Sequence, residues 1–397
     1  MLRFSLKNLL TRKVQTVLIM LSVIVSTSVA VLAYNVSTQV SDGITDTAGY
    51  YSVLIGASGS STQLVMNTMY FTDKPCGTFP YDVISDLKRD TRVRDVIPFA
   101  VADSYNGYTV AGSTTGYLEG KALLSGEMFD DGASLEAVVG YEVARACNLS
   151  VGDIIHTSHS ATEEHSEGLT VRGILKETHT VYDNTVFTQL KTIWDLHSHG
   201  EHTHEDGTEC SGEENMVTAF CIRTKSPSFA MTLRDEYDGK IISDEDGCSW
   251  TLQAVEPMSV VRDILSGTDR TKYIVYALSG IILVMNILVI TIITVLNMFC
   301  VKPEIELMRL IGLSLGKINL VYLIQNSLTG FVSCTLSMLL SHLSLGLVSG
   351  YVRDMGVVLD RAKVYPLEIV IVLAVFIISV VPTLICTAVM SGKSVKR

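Results

Sequence analysis

Residues 302–318 read KPEIELMRLIGLSLGKI and lie between two long apolar runs, 273–301 and 319–348. Within the stretch, Ile305, Leu307, Met308, Ile311 and Leu315 recur at three- and four-residue steps, with Lys302, Glu304 and Lys317 set apart from them. That spacing predicts a short amphipathic helix. Pro303 suits its first turn, where a missing N–H costs nothing, and Gly312 lets the chain leave the helix. A charged helix between two apolar runs presents a surface to whatever lies on that side of a membrane.

The chain has 397 residues, of which 48% are hydrophobic and 18% charged. The apolar residues are concentrated at 14–34, 271–301, 319–348 and 367–390. Each run reaches the roughly 20 residues that a helix needs to cross a bilayer. Residues 35–270 are polar and numerous enough to build a core of their own. The expected fold is an α-helical membrane protein with four transmembrane helices plus a large α+β extracytoplasmic domain. Residues 349–366 make a short external loop and 391–397 a cytoplasmic tail.

Basic residues set the orientation. With four spans, both termini and 302–318 share one side, which carries Arg3, Lys7, Arg12, Lys13, Lys302, Arg309, Lys317, Lys393, Lys396 and Arg397 against Glu304 and Glu306. The positive-inside rule makes that side cytoplasmic. Residues 35–270 hold 36 acidic and 16 basic side chains, a net −20, and face outside. Such a surface does not seek nucleic acid; it reads either as one that attracts cations or cationic peptides or as an ordinary soluble acidic surface. Residues 1–13, MLRFSLKNLLTRK, interleave basic and apolar side chains and read as an interfacial amphipathic helix. The apolar stretch after them is longer than the core of a signal peptide and lacks a clean small-x-small site, so it reads as the first span.

Inside 35–270, YYSVLIGA is strand-like, PYDVISDLKRD helical and VRDVIPFAVA strand-like again. From 216, MVTAFCIRT, PSFAMTLRDEY and 250–256 repeat the alternation. Two β-α-β units therefore flank an insertion, which predicts a split β-α-β subdomain with a mainly β inserted subdomain at 106–214.

The insertion ends in HSHGEHTHEDGTEC, residues 197–210. His197, His199, His202 and His204 fall within eight residues, with Cys210 close by. Clustered neutral imidazoles suit a borderline metal such as zinc. A closed metal site draws ligands from two separated elements, and His156, His159, His165 or His179 can supply the second. The alternative is a solvated acidic loop with no specific affinity. Five cysteines lie outside the apolar runs (Cys76, Cys147, Cys210, Cys221 and Cys248), an odd number without a C-x-x-C pair, and no bridge is assigned.

Enzymatic motifs are missing. Ser391–Ser394 imitates the end of a phosphate-binding loop, but Thr387 stands where that loop needs glycine and no strand precedes it. No Ser-His-Asp set, Cys-His set or carboxylate pair occupies a readable motif outside the apolar runs. Within those runs Asn286, Gln325, Asn326 and His342 are polar, too few to line an ion pathway. The chain reads as a non-enzyme whose spans transmit motion.

Four passages resemble the MacB/FtsX-like permeases of ABC transporters, which include lipoprotein-releasing and macrolide-export permeases. They are RFSLKNLLTRK, VVGYEVARACNLSVGDII, LTVRGILKETHTVYDNTVFTQL and PEIELMRLIGLSLGKI, in the family's order and over nearly the full length. The resemblance implies that 302–318 is a coupling helix docked on a separate ATP-binding subunit that binds ATP. Glu306, Arg309 and Gly312 fall on the family's Glu, Arg and Gly, with Glu304 beside them. Lys302 and Pro303 stand where the family has Arg, and Leu307 stands where it often has Ile. It also implies a permease dimer with a second chain, homo- or heteromeric, and a periplasmic or membrane-fusion partner. The expected location is a bacterial inner membrane, multi-pass, with both termini cytoplasmic. The expected cargo is a lipoprotein, peptide or other amphiphile, moved by mechanotransmission. Two further readings stay open: zinc-linked transport or sensing through the His-rich loop, and a non-transporting regulator of a cell-wall hydrolase or sensor kinase.

Overall fold

The computed structural model describes residues 5, 9, 13–160, 163–197, 215–243, 248–353 and 358–393. The chain divides into two units, one made of Met1–Gln39, Thr268–Gly350 and Leu359–Arg397, the other of Val40–Gly267 and Tyr351–Val358.

In chain order, α1 (Lys13–Ala48) leads to β1 (Val53–Ala57), α2 (Ser61–Tyr70), β2 (Phe79–Pro80), α3 (Ile84–Arg89) and β3 (Val93–Tyr105). The insertion holds β4 (Tyr108–Ser113), β5 (Leu123–Gly126), β6 (Glu136–Val139), α4 (Tyr141–Cys147), β7 (Ile154–Ser160), β8 (Glu163–Leu175), β9 (Thr185–Gln189) and α5 (Leu190–His197). Then come β10 (Met216–Val217), β11 (Ala219–Thr224), α6 (Pro227–Tyr237), β12 (Ile241–Ser243) and β13 (Ser249–Val255). Three long helices finish the described chain: α7 (Pro257–Leu310), α8 (Leu315–Arg353) and α9 (Pro366–Lys393).

The strand order β13-β1-β11-β3 interlocks two split β-α-β units. β1 and β3 both run antiparallel to β11, and β11 and β13 both run antiparallel to β1. Side-chain alternation explains the layering. Val53 and Ile55 of β1 join Leu87 of α3 and Leu233 of α6 on one face, while Leu54 joins Leu64 and Met69 of α2 on the other. Phe71, Phe99, Tyr117, Tyr182 and Phe187 fill the second face with ring-to-ring contacts. Phe187 is 1% exposed, so truncating it to Ala costs roughly 3–5 kcal/mol.

The insertion does not form a sheet of its own. β3 runs for 13 residues, and β4, β9, β6, β8 and β5 continue its sheet, with β7 paired to β3 and β8, to eleven strands. Ala137, Val139 and Leu169 of the insertion therefore share a core cluster with Val53 and Ile55. Cys248 is disulfide-bonded, whereas Cys76, Cys147, Cys221 and Cys334 are free thiols.

In the helical unit, Val23 of α1, Cys334 of α8 and Val375 of α9 meet, with Leu283 of α7 beside them. Ser333, Ser337 and Ser341 recur at four-residue steps on α8 and are fully buried, the small-residue stripe that lets helices approach closely in lipid. A Cβ added at Gly330 would stand 2.7 Å from Ser379 Oγ and 3.3 Å from the Phe376 ring of α9. His342 does not stand alone: its Nε2 lies 3.1 Å from Oε2 of the buried Glu368, and its Nδ1 lies 2.8 Å from the Arg361 carbonyl. Gln325 is also buried.

Among the described residues, Thr16–Ala48 and Gly316–Val352 are long and apolar enough to cross a membrane, and Tyr276–Val289 and Pro366–Val381 are shorter apolar helical stretches. The helices overrun the boundaries drawn from the sequence. α1 extends to Ala48 rather than 34, and α7 begins at Pro257 rather than 271. Polar residues at these ends keep helical spacing, so hydropathy marks where the apolar part stops and not where the helix stops. Of the expected helix 1–13, only residues 5, 9 and 13 are described; Ser5 is buried and its hydroxyl donates to the Val321 carbonyl at 3.1 Å.

Candidate functional site

Two places, one in each unit, hold the described residues that the sequence singled out. The first is the turn between α7 and α8. Residues 302–310 are not a separate amphipathic helix; they are the last nine residues of the 54-residue α7. Pro303 sits inside that helix rather than in a first turn, where it lacks one backbone donor and does not end the helix.

Gly312 does end it. Its φ is +93°, its N–H donates to the Arg309 carbonyl at 3.0 Å, and Leu313 N–H donates to the Met308 carbonyl at 3.1 Å. Those two bonds make a Schellman motif, which satisfies the last carbonyls of α7. A side chain at 312 would strain a backbone that only glycine adopts freely, at a cost of about 1 kcal/mol.

The turn sorts its apolar residues two ways. Ile305 and Met308 pack on Ile318 and Tyr322 of α8. Leu307, Leu310 and Ile311 are 61%, 86% and 73% exposed. Sequence periodicity put Leu307 and Ile311 on the same stripe as Ile305, and the structure turns them outward. Glu306, Arg309 and Lys317 are exposed around them. The side chain of Glu304 lies outside the described residues, although its backbone is helical. An apolar patch rimmed by charges is the composition of a protein-docking surface.

The second place is in the sheet unit. Between Val101 and Asp103, β3 gains one residue over β4, with Val101 opposite Ala111 and Asp103 opposite Val110. Such a bulge reverses which face the following side chains meet. Phe99 and Val101 pack in the second core cluster, but Tyr105 packs against the first, the one that contains Ala100. Asp103 is thereby aimed at the face where α5 lies, and its side chain is fully buried.

Three groups meet it there. Thr157 Oγ1 of β7 donates to Asp103 Oδ2 at 3.0 Å. His165 Nε2 of β8 lies 3.2 Å from Asp103 Oδ1, and His197 Nε2, at the end of α5, lies 3.3 Å from the same oxygen. The two imidazole rings stand edge to face, 5.3 Å apart. His197 Nδ1 is 2.6 Å from the Ile193 carbonyl. Burial, the largest influence, pushes the His197 pKa down, but hydrogen bonds to Asp103 and Ile193 and the Asp103 charge carry it above the ordinary histidine value.

Of the five residues singled out in the His-rich loop, only His197 is described; His199, His202, His204 and Cys210 lie outside the described residues. Of the four histidines considered as a second element, His165 stands beside His197, and the side chain of His159 lies outside the described residues. His156 Nδ1 is 3.3 Å from the His165 carbonyl, and His179 pairs with Glu177 at 3.6 Å. The sequence reading missed Asp103. Its signal was a carboxylate near the end of the apolar strand VIPFAVADSY, visible in the sequence but uninterpretable without the bulge.

Comparisons with known proteins cover both units. Residues 16–236 match the MacB-like periplasmic core domain, more than half of the chain, and residues 276–397 match the FtsX-like permease C-terminal domain. No curated protein matches the chain. Among solved structures, the extracellular domain of the ABC-type transporter YknZ from Gram-positive bacteria is 16% identical, covers 51% of this chain and 99% of its own, and has a TM-score of 0.32. The periplasmic region of MacB from Actinobacillus actinomycetemcomitans is 10% identical, covers 54% and 93%, and has a TM-score of 0.35. At those scores nothing is drawn from the two likenesses.

Proposed function

The chain belongs to the MacB/FtsX-like permeases of ABC transporters, membrane proteins that work with an ATP-binding subunit, and on that premise we propose that it couples ATP hydrolysis by a separate chain to motion of its sheet unit. Four membrane spans, near 14–34, 271–301, 319–348 and 367–390, place both termini and the α7–α8 turn in the cytoplasm of a bacterial cell. Two such chains form the membrane dimer. The cargo is a lipoprotein, peptide or other amphiphile, and the work is mechanical.

One observation carries the reading. The α7–α8 turn exposes Leu307, Leu310 and Ile311 beside Glu306 and Arg309. A hydrophobic cluster of that kind on a two-helix turn gains by being covered in a partner, with affinity set by the surplus over the cost of association. Glu306 and Arg309 then set the register of docking.

The test is co-purification of the permease with ABC ATP-binding subunits co-expressed from the same genome. Leu310→Glu is expected to lose the partner while the permease stays folded. Retention of the partner by both Leu307→Glu and Leu310→Glu would contradict this docking surface.

A further inference from the structure

We propose that Asp103, His165 and His197 form a binding site for one divalent transition-metal ion, zinc by the chemistry of the donors. The three residues come from β3, β8 and the end of α5, and their donor atoms all lie within 4.8 Å of one another. Two neutral imidazoles and one carboxylate are a donor set that binds zinc with a fourth position left for water or another ligand. Zinc–nitrogen and zinc–oxygen bonds of about 2.0–2.2 Å set tetrahedral donor-to-donor edges of roughly 3.3 Å. The two edges from Asp103 Oδ1, 3.2 Å to His165 and 3.3 Å to His197, already have that length.

The outer contacts are also those of a ligand set. The Ile193 carbonyl can only accept, so the ring proton of His197 sits on Nδ1, 2.6 Å away. Nε2 then turns its lone pair toward a carboxylate oxygen, which also has only lone pairs. A cation between them resolves that conflict: a metal ion, or a second proton on the ring. A backbone carbonyl holding Nδ1–H is the usual support of a metal-bound histidine. Thr157 does the same for the carboxylate, holding Oδ2 at 3.0 Å, while Oδ1 faces the two imidazoles.

The surroundings favour positive charge and give access to it. His197 closes α5, where the helix dipole is negative. The 35–270 segment carries a net −20. Asp103 is fully buried, but the His165 and His197 side chains are 16% and 21% exposed, so an ion reaches the site from the histidine side. Once bound, it clamps the β7–β8 hairpin and α5 to the bulge of β3.

The experiment is zinc titration of the full-length chain in detergent or nanodiscs, with a chromophoric chelator as competitor and cobalt(II) absorption as the geometric probe. The parent carries His199→Gln, His202→Gln and His204→Gln, which removes the adjacent sequence cluster from the count. It is expected to bind one zinc per chain and give tetrahedral cobalt bands. Binding is lost in His165→Gln and in His197→Gln, and weakens about tenfold in Thr157→Val, which keeps the shape and removes the outer hydrogen bond. Near-ultraviolet circular dichroism checks folding, and the two partly exposed histidine variants decide the matter if Asp103→Asn fails to fold. A parent that binds no zinc would overturn the proposal and leave the trio as a carboxylate flanked by an imidazolium. So would histidine variants that bind as tightly as the parent.

Discussion

Gln39 and Asp360 exchange two hydrogen bonds. The Gln39 amide donates to the Asp360 carbonyl at 3.0 Å, and the Asp360 backbone N–H donates to Gln39 Oε1 at 2.8 Å. One side chain thus satisfies both backbone groups of a residue just before α9, and it is 5% exposed while doing so. Gln39→Leu preserves bulk but leaves an amide and a carbonyl without their partner, at about 1–3 kcal/mol. Thermal unfolding in detergent is expected to show the loss; a melting temperature equal to wild type would contradict it.

Close approach of α8 and α9 depends on Gly330. Its missing Cβ leaves room for Ser379 Oγ and the Phe376 ring. Gly330→Val is expected to destabilise the helical unit by about 1–3 kcal/mol through overpacking. Gly330→Ala is expected to lose less, and Ser379→Ala in the same chain to recover part of it, because the nearest clash is with the serine hydroxyl. A double-mutant cycle on melting temperature measures the coupling; simple additivity would contradict the contact.

Acid stability of the sheet unit is tied to Asp90. Side-chain hydrogen bonds from Arg92 hold its pKa below the ordinary carboxylate value, and Arg92 also reaches Glu236 of α6 at 2.6 Å. A carboxyl whose folded pKa is depressed contributes stability above its unfolded pKa and loses it as pH falls through the folded value. The difference in stability between wild type and Asp90→Asn is therefore expected to be full at neutral pH and to shrink below about pH 4. Unfolding midpoints across pH 7 to 2.5 check this; a difference that is constant across the range would contradict it.

The alternation of strands and helices was legible because β1, β3, β11 and β13 carry apolar runs separated by helical spacing, and Pro227 marks the start of α6. The shared sheet was not, because nothing local in residues 93–105 tells a strand to keep pairing beyond its own unit. The α7–α8 turn was legible at Gly312, whose positive φ no other residue adopts as freely. Its start was misread because Pro303 looks the same at a first turn and inside a long helix whose flanks are apolar. The cluster of Asp103, His165 and His197 divides the same way. His197 stood out by clustering, His165 was one of four equal candidates, and Asp103 required a one-residue bulge that hydropathy does not record.

The coupling claim is tested most directly by ATP turnover of the ATP-binding subunit reconstituted with the permease, comparing wild type with Glu306→Lys, Arg309→Glu. Both side chains are exposed on the turn, and near-ultraviolet circular dichroism of the double reversal checks that the helical unit stays folded. The account predicts that permease-dependent stimulation of turnover falls at least tenfold, with the subunit's own basal rate unchanged. Stimulation equal to wild type, at equal complex occupancy, would contradict the assignment of this turn as the coupling element.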